Sequence, residues 1–304
     1  MLKEKLYEGL RQVETIASAS KIARMLSNPY KYLNAILFRE LIYKRKRKEK
    51  EVRAQTFLGS EMTLLLPSST DIYLTGGKSH DSEIRLAKFL ISNLHEQDVF
   101  FDVGAHYGYF SMLASKLVGQ LGKVYSFEAS PKTYEILVKN ASDCANVISS
   151  NLAVSDSSSF LEFYEFPNLY SEYNTLDVDQ FKNESWFTNS KPTAVKIKSV
   201  TLDKFVEQEL VKPQIIKIDV EGAEYQVING SRGYLEENAP LIVMEFLSEK
   251  RGNEAHLNAE KLLRSLGYHS YIIDRKGKID QVKNIADFLE SQDVESDNIV
   301  FTKG

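Results

Sequence analysis

The residues best placed for chemistry are carboxylates at the ends of short apolar runs. Asp102 follows Val99-Phe100-Phe101 and opens the loop Val103-Gly104-Ala105-His106-Tyr107-Gly108. Glu128 closes a second run at 123–127, 26 residues after Asp102. Asp219 and Glu221 follow Ile215-Ile216-Lys217-Ile218, and Glu245 follows Leu241-Ile242-Val243-Met244. Such runs read as buried strands. Ligands of open α/β sheets bind outside the carboxyl ends of the strands. Acids at the ends of several strands therefore gather on one sheet edge, which packing alone does not explain.

The first two loops suit a nucleoside. Gly104 and Gly108 permit backbone angles closed to other residues and let a ligand approach the main chain. The helix that follows aims its first amides at an anion. Glu128 can accept both hydroxyls of a ribose, which NAD and S-adenosylmethionine (SAM) share. The loop separates these two cofactors. A dinucleotide fingerprint needs glycine at the first, third and sixth places, and from Gly104 those places hold Gly104, His106 and Tyr109. SAM carries no phosphate and does not need that spacing. The SAM-binding set read here is Asp102, Gly104, Ala105, His106, Gly108, Glu128, Asn151 and Asp219.

Asp219, Glu221 and Glu224 lie within six residues and repel one another unless a cation is near; Lys217 is the local candidate. Glu224 also fits the start of a helix, where acids favour the dipole. Asp219, at a strand end, does not. For proton removal from an acceptor hydroxyl the chain offers Asp219, Glu221 and His106, with Asp219 first by position. No metal is assigned. The alternative is an oxygen-ligated ion on Asp219, Glu221 and Glu245.

These loops need strands alternating with helices. Runs at 99–103, 123–127, 147–150, 215–220 and 241–246 alternate with helical periodicity at 110–118, 131–141, 223–236 and 254–266, and late strand candidates stand at 268–273 and 298–302. The pattern predicts a doubly wound α/β sheet. An aromatic insertion at about 157–200, with Tyr170, Tyr173, Trp186 and Phe187, interrupts it and suits an acceptor-binding role. Residues 1–55 read as a helical appendage to a domain at 56–304, with helices at 2–25 and about 31–53. Residues 44–53 hold seven basic and two acidic side chains. That run reads either as a solvated face or as a peripheral contact with anionic lipid or a phosphorylated acceptor.

Composition sets the outer limits. The chain has 304 residues, 43% hydrophobic and 26% charged, with a net charge of −4. That is ordinary for a soluble globular protein and gives no overall case for nucleic acid. Cys144 is the single cysteine, so an internal disulfide is excluded. No apolar run reaches membrane-spanning length, and the first twenty residues lack a signal-peptide core. The expectation is a cytoplasmic protein.

Taken together, Phe101-Asp102-Val103-Gly104-Ala105-His106-Tyr107-Gly108, Phe127-Glu128, Thr201-Leu202-Asp203, Lys217-Ile218-Asp219-Val220-Glu221-Gly222-Ala223-Glu224 and Asn229-Gly230 resemble the FkbM-type SAM-dependent methyltransferases. The resemblance covers roughly residues 80–250. It implies a class I methyltransferase sheet, mostly parallel with an antiparallel last strand, and usually O-methylation. The family commonly has Asn where His106 stands and Pro where Ala129 stands. The acceptor is then a hydroxyl on a glycan, a lipid-linked sugar or a small metabolite. An NAD-dependent oxidoreductase and a non-catalytic SAM- or glycan-binding module are the rival readings.

Overall fold

The computed structural model describes residues 1–178, 181–182 and 184–303. The strands follow in chain order. β1 (Lys50–Gln55) and β2 (Glu61–Leu66) form an antiparallel hairpin. β3 (Val99–Val103), β4 (Lys123–Phe127) and β5 (Val147–Ser150) begin the central sheet. β6 (Ala153–Val154), β7 (Phe160–Glu165) and β8 (Thr193–Val200) make a separate three-stranded sheet in the order β6-β8-β7. β9 (Ile215–Ile218), β10 (Leu241–Leu247), β11 (His269–Ile273), β12 (Ile279–Gln281) and β13 (Ser296–Thr302) complete the central sheet.

Its order is β12-β11-β13-β10-β9-β3-β4-β5. β5, β4, β3, β9 and β10 run parallel. The last strand, β13, lies antiparallel between β10 and β11. This is the doubly wound class I methyltransferase sheet. The chain leaves β3 in one direction towards β4 and β5 and in the other towards β9 and β10, so the crevice between β3 and β9 is the switch point where such sheets bind ligands. Apart from the edge strand β5, the parallel strands are buried on both faces, which is why they read as continuous apolar runs. Ile215, Ile216, Lys217 and Ile218 are all buried. One core cluster covers each face: Phe100, Leu113 and Val243 belong to the first, and Phe101, Phe127 and Ile218 to the second.

The N-terminal segment differs from its sequence reading in two places. The single helix expected over 2–25 divides into Leu2–Ser18 and Lys21–Ser27. Ser20 causes the break, its side chain accepting the Ala23 amide at 3.2 Å as an N-cap. The helix expected to reach 53 gives way to β1 at Lys50. Its residues are good helix formers, but pairing with β2 buries Ala54 and overrides local preference. The boundary placed at residue 55 thus falls inside a hairpin. Helix Leu2–Ser18 buries Leu6, Leu10 and Val13 in the core cluster shared with helix Asp81–Asn93. Expected as one helix, 223–236 is two, Glu224–Asn229 and Arg232–Glu237, hinged at Gly230 and Ser231.

Candidate functional site

A cavity of about 680 Å³ opens at the carboxyl edge of the central sheet, within the range of about 300–1,000 Å³ common for ligand pockets. Gly104, His106, Glu128, Asp219, Glu221 and Glu245 line it. The ends of β3, β4, β9 and β10 thus meet at one place. Asp102, Ala105, Gly108 and Asn151, also expected at the cofactor, lie outside that lining and act on it from behind.

Asp102 is 1% exposed and sits beneath the floor. One of its oxygens accepts Ser111 Oγ at 2.6 Å, and the other lies 3.3 Å from Lys217 Nζ. Lys217 Nζ is also 3.2 Å from Asp219 Oδ2 and donates to the Gly104 carbonyl at 3.3 Å. One buried cation therefore joins the loops after β3 and β9. The two loops touch directly as well. The Asp219 amide donates to the Val103 carbonyl at 3.1 Å. Gly104 has a φ of +77°, and a Cβ there would stand 1.7 Å from the Asp219 carbonyl oxygen. No other residue fits.

Glu128 is held by main chain. Its oxygens accept the amides of His106 at 2.8 Å and Ser130 at 2.9 Å. A carboxylate has about four acceptor positions, so two amides leave it able to accept ligand hydroxyls. Burial pushes its carboxyl up to about 7, against the pull of the two amides. Asn151 keeps this loop in shape, its side-chain amide donating to the carbonyls of Glu128 and Ala129 at 2.8 and 3.0 Å. Ala105 and Gly108 shape the loop after β3: the Ala105 amide donates to the Phe127 carbonyl at 3.0 Å, and the Gly108 amide to the Ala105 carbonyl at 2.8 Å. His106 has a φ of 49°, a region that Asn and His enter more readily than most residues. Its ring stacks on Tyr107 at 3.9 Å, and Nε2 lies 3.3 Å from Ser171 Oγ. Burial drives its pKa down to about 4, leaving the imidazole neutral at neutral pH.

At the other end, carboxylates crowd together. Oxygens of Asp219, Glu221 and Glu245 lie within 4.8 Å of one another. They could coordinate an ion or receive a cationic ligand. Burial raises Asp219, but Lys217 and Lys78 outweigh it and hold the group below its ordinary value. Glu221 is pushed well up by burial, then by Glu245 and Asp219. Burial and Asp219 push Glu245 up to about 8. Asp219 is thus the ionised member. Glu224 plays a different part. It accepts the Gly222 amide at 3.0 Å and the Val220 amide at 3.2 Å, with His256 Nε2 3.2 Å behind it. These bonds fix the turn that carries Asp219 and Glu221.

Several lining residues escaped the sequence reading. Lys78 forms ion pairs with Glu83 and, at 3.6 Å, with Glu172. Asp71 is pushed up to about 7 by burial and by Glu172 and Glu83. Arg251 lies 5.4 Å over the Tyr173 ring and 3.2 Å from Glu295. Asp71 and Lys78 precede the parallel strands, and Arg251, in the loop after β10, is a base where the strand-end reading looked for acids. The Gly76-Gly77 pair before Lys78 was a usable signal. The aromatic insertion closes this side: Tyr173 lines the cavity, with Trp186 stacked against it at 5.3 Å and against Tyr170 at 4.3 Å.

A family model described as the methyltransferase FkbM domain matches residues 102–270, more than half of the chain. The chain belongs to that family. It is similar to the hexuronic acid methyltransferase AglP of Haloferax volcanii, 26% identical over 151 residues that cover 49% of this chain and 56% of that protein. It is also similar to the methyltransferase sdnD of Sordaria araneosa, 28% identical over 165 residues that cover 46% of this chain and 62% of the relative. The matches thus span little more than half the length of either relative. Among solved structures, a methyltransferase FkbM from Methylobacillus flagellatus KT is 14% identical with a TM-score of 0.41, covering 77% of this chain and 52% of that one. The remaining FkbM-like motifs are structural here. Asp203 accepts the Gly233 and Tyr234 amides at 2.9 and 2.7 Å. At Gly230 a Cβ would stand 2.1 Å from the Ser155 carbonyl oxygen.

Proposed function

We propose that this chain transfers a methyl group from SAM to a hydroxyl oxygen of a sugar-bearing acceptor. The observation that carries the reading is one cavity faced by an amide-held Glu128 and an ionised Asp219 across the switch point of the sheet. When bound, SAM supplies a methyl on a cationic sulfur that needs no further activation. Nine carboxylates and three fixed cations line the cavity, a balance that suits a ligand of net positive charge. Glu128 accepts the ribose hydroxyls. Amides at the start of helix Tyr109–Val118 face the methionine carboxylate. Gly104 lets the loops after β3 and β9 meet closely at the floor of the cavity.

The remaining work is alignment of the acceptor oxygen with the methyl carbon and removal of its proton. Asp219 takes that proton, with Lys217 fixing the carboxylate's orientation. Glu221, His106 and Glu245 bound the same space. Burial and neighbouring carboxylates push Glu221 well up and Glu245 up to about 8, and His106 is neutral. The ionised Asp219 among them disfavours an acceptor carboxylate at the point of transfer. A hydroxyl is the better nucleophile there. The stacked aromatic insertion beside the cavity and the similarity to a hexuronic acid methyltransferase support a sugar acceptor, whether glycan, lipid-linked sugar or small metabolite.

The test is incubation with methyl-labelled SAM and a panel of these three acceptor classes, read by mass spectrometry. Label should appear as an ether-linked methyl on a sugar. Methyl esters as the sole product would overturn the hydroxyl assignment. Tight SAM binding with no transfer to any class would favour a binding module.

A further inference from the structure

Between the buried helix Leu2–Ser18 and the hairpin, the chain carries a surface that methyl transfer does not use. Helix Lys21–Ser27 buries no residue, and helix Pro29–Leu37 and the helical turn Phe38–Tyr43 bury only one side. Ala35, Phe38 and Tyr43 face the domain. On the outside, Ile22, Leu26, Tyr30, Leu33, Leu37 and Leu41 recur three or four residues apart and are 44–78% exposed. Scattered exposed apolar residues are normal, but six within twenty residues, on consecutive elements, mark an interaction surface. The stripe leads directly into Lys44-Arg45-Lys46-Arg47-Lys48, all exposed. Residues 21–48 hold nine basic side chains and one acidic, a net of +8 on a chain whose total is −4.

We propose that this face seats the protein on an anionic membrane surface, with the apolar stripe entering the headgroup boundary and the basic run contacting lipid phosphates. An apolar helix face flanked by Lys and Arg is the pattern of a helix lying in the interface plane. No helix among the described residues is long and apolar enough to cross a membrane, so the contact is peripheral. Charge selects this occupant over a second copy of the chain. A two-fold contact through the same patch would set +8 against +8. The segment is also tied to the cavity wall. The Tyr43 hydroxyl accepts the Leu169 amide at 3.0 Å, within the 3₁₀ segment Asn168–Tyr173 that carries Glu172 and Tyr173 into the cavity lining. Seating this face would bring that part of the cavity wall close to the bilayer. The proposal does not depend on the reaction catalysed.

The test is cosedimentation of the full chain with phosphatidylcholine vesicles, with and without phosphatidylserine, at roughly 0.05 and 0.5 M salt. Wild type should bind the phosphatidylserine vesicles and bind less at high salt. Leu33→Glu with Leu37→Glu should lower binding about tenfold or more at either salt. Arg45→Gln, Lys46→Gln and Lys48→Gln together should remove the salt-sensitive part, also about tenfold or more at low salt. These side chains are exposed, so melting curves should match wild type and separate lost binding from lost folding. Absence of wild-type binding to phosphatidylserine vesicles, or binding indifferent to the leucine pair, overturns the proposal. A dimer seen by ultracentrifugation that the leucine pair dissociates would reassign the face to a second copy.

Discussion

Glu128 and Glu221 face one cavity but are held in opposite ways. Glu128 sits between two backbone amides, and Asn151 pins the loop beneath it. Glu221 lies at a φ of 50° beside two further carboxylates. One end is an arrangement of dipoles fixed before any ligand arrives. The other crowds acids whose mutual repulsion keeps protons on them until a cationic ligand supplies charge. A preorganised end holds its ligand at little reorganisation cost, whereas a repulsive end gains most when charge is supplied. Under the proposed function, the first end recognises the nucleoside and the second is where reaction takes place.

The largest test of that division is Asp219→Asn. The amide keeps the shape but loses charge and basicity, so turnover should fall about 10²-fold or more, far more than SAM affinity weakens. Steady-state kinetics beside calorimetry read the two effects separately. Near-full activity in Asp219→Asn, with activity abolished in His106→Ala, would move the base to His106. Glu128→Ala should do the reverse, weakening SAM binding by about 1.5–3 kcal/mol, as for loss of charge-assisted hydrogen bonds. Unchanged affinity in the folded variant would erase the contrast.

A pH series sharpens it. Glu128 and Glu245 are pushed up to about 7 and about 8, and ionisation of both favours a net cationic ligand. SAM binding should therefore release protons, with affinity rising by roughly tenfold from about pH 6 to 8. Calorimetry in buffers of different ionisation heat measures the release. The sign for stability is opposite. Groups raised above their unfolded values bind more protons when folded, so ligand-free protein should lose stability as pH rises through about 7–8. Melting temperatures that climb over that window would contradict the assignment. The smallest expected effect is that of Trp186→Ala, which removes the stack behind Tyr173. Loss of aromatic pairing of about 0.5–1.5 kcal/mol should raise the acceptor KM severalfold and leave SAM affinity alone. An equal loss in both would mean that the insertion supports the cavity as a whole.

The central sheet was legible because its inner parallel strands are buried on both faces and write themselves as apolar runs. Glu128 and Asp219 were legible because each follows such a run, Glu221 because it shares the turn after β9, and Glu245 because it interrupts the run of β10. Lys78 was not, because only the fold brings its loop to the cavity, and Arg251 stands four residues past β10, beyond the acids on which the reading rested. Asp102 was found for its position, but its work passes through Lys217, and a sequence does not display a buried ion pair. β1 was hidden by its composition. Lys50-Glu51-Val52-Arg53-Ala54-Gln55 favours helix locally, and the pairing that overrides it depends on a partner strand six residues away.

The three-stranded sheet has a consequence for how this molecule could diversify. β6 and β8 pair in parallel, Ala153 with Ser199 and Val154 with Val200. The segment between them therefore leaves and rejoins the body at points about one strand spacing apart, roughly 5 Å. Loop closure becomes only slowly costlier with length, so the connection between β6 and β8 can vary in length at small cost. Another segment of different length and composition can be grafted between the same two points without altering the register of the central sheet. Under the proposed function, such a graft changes the wall that meets the acceptor while Glu128 keeps its two backbone amides.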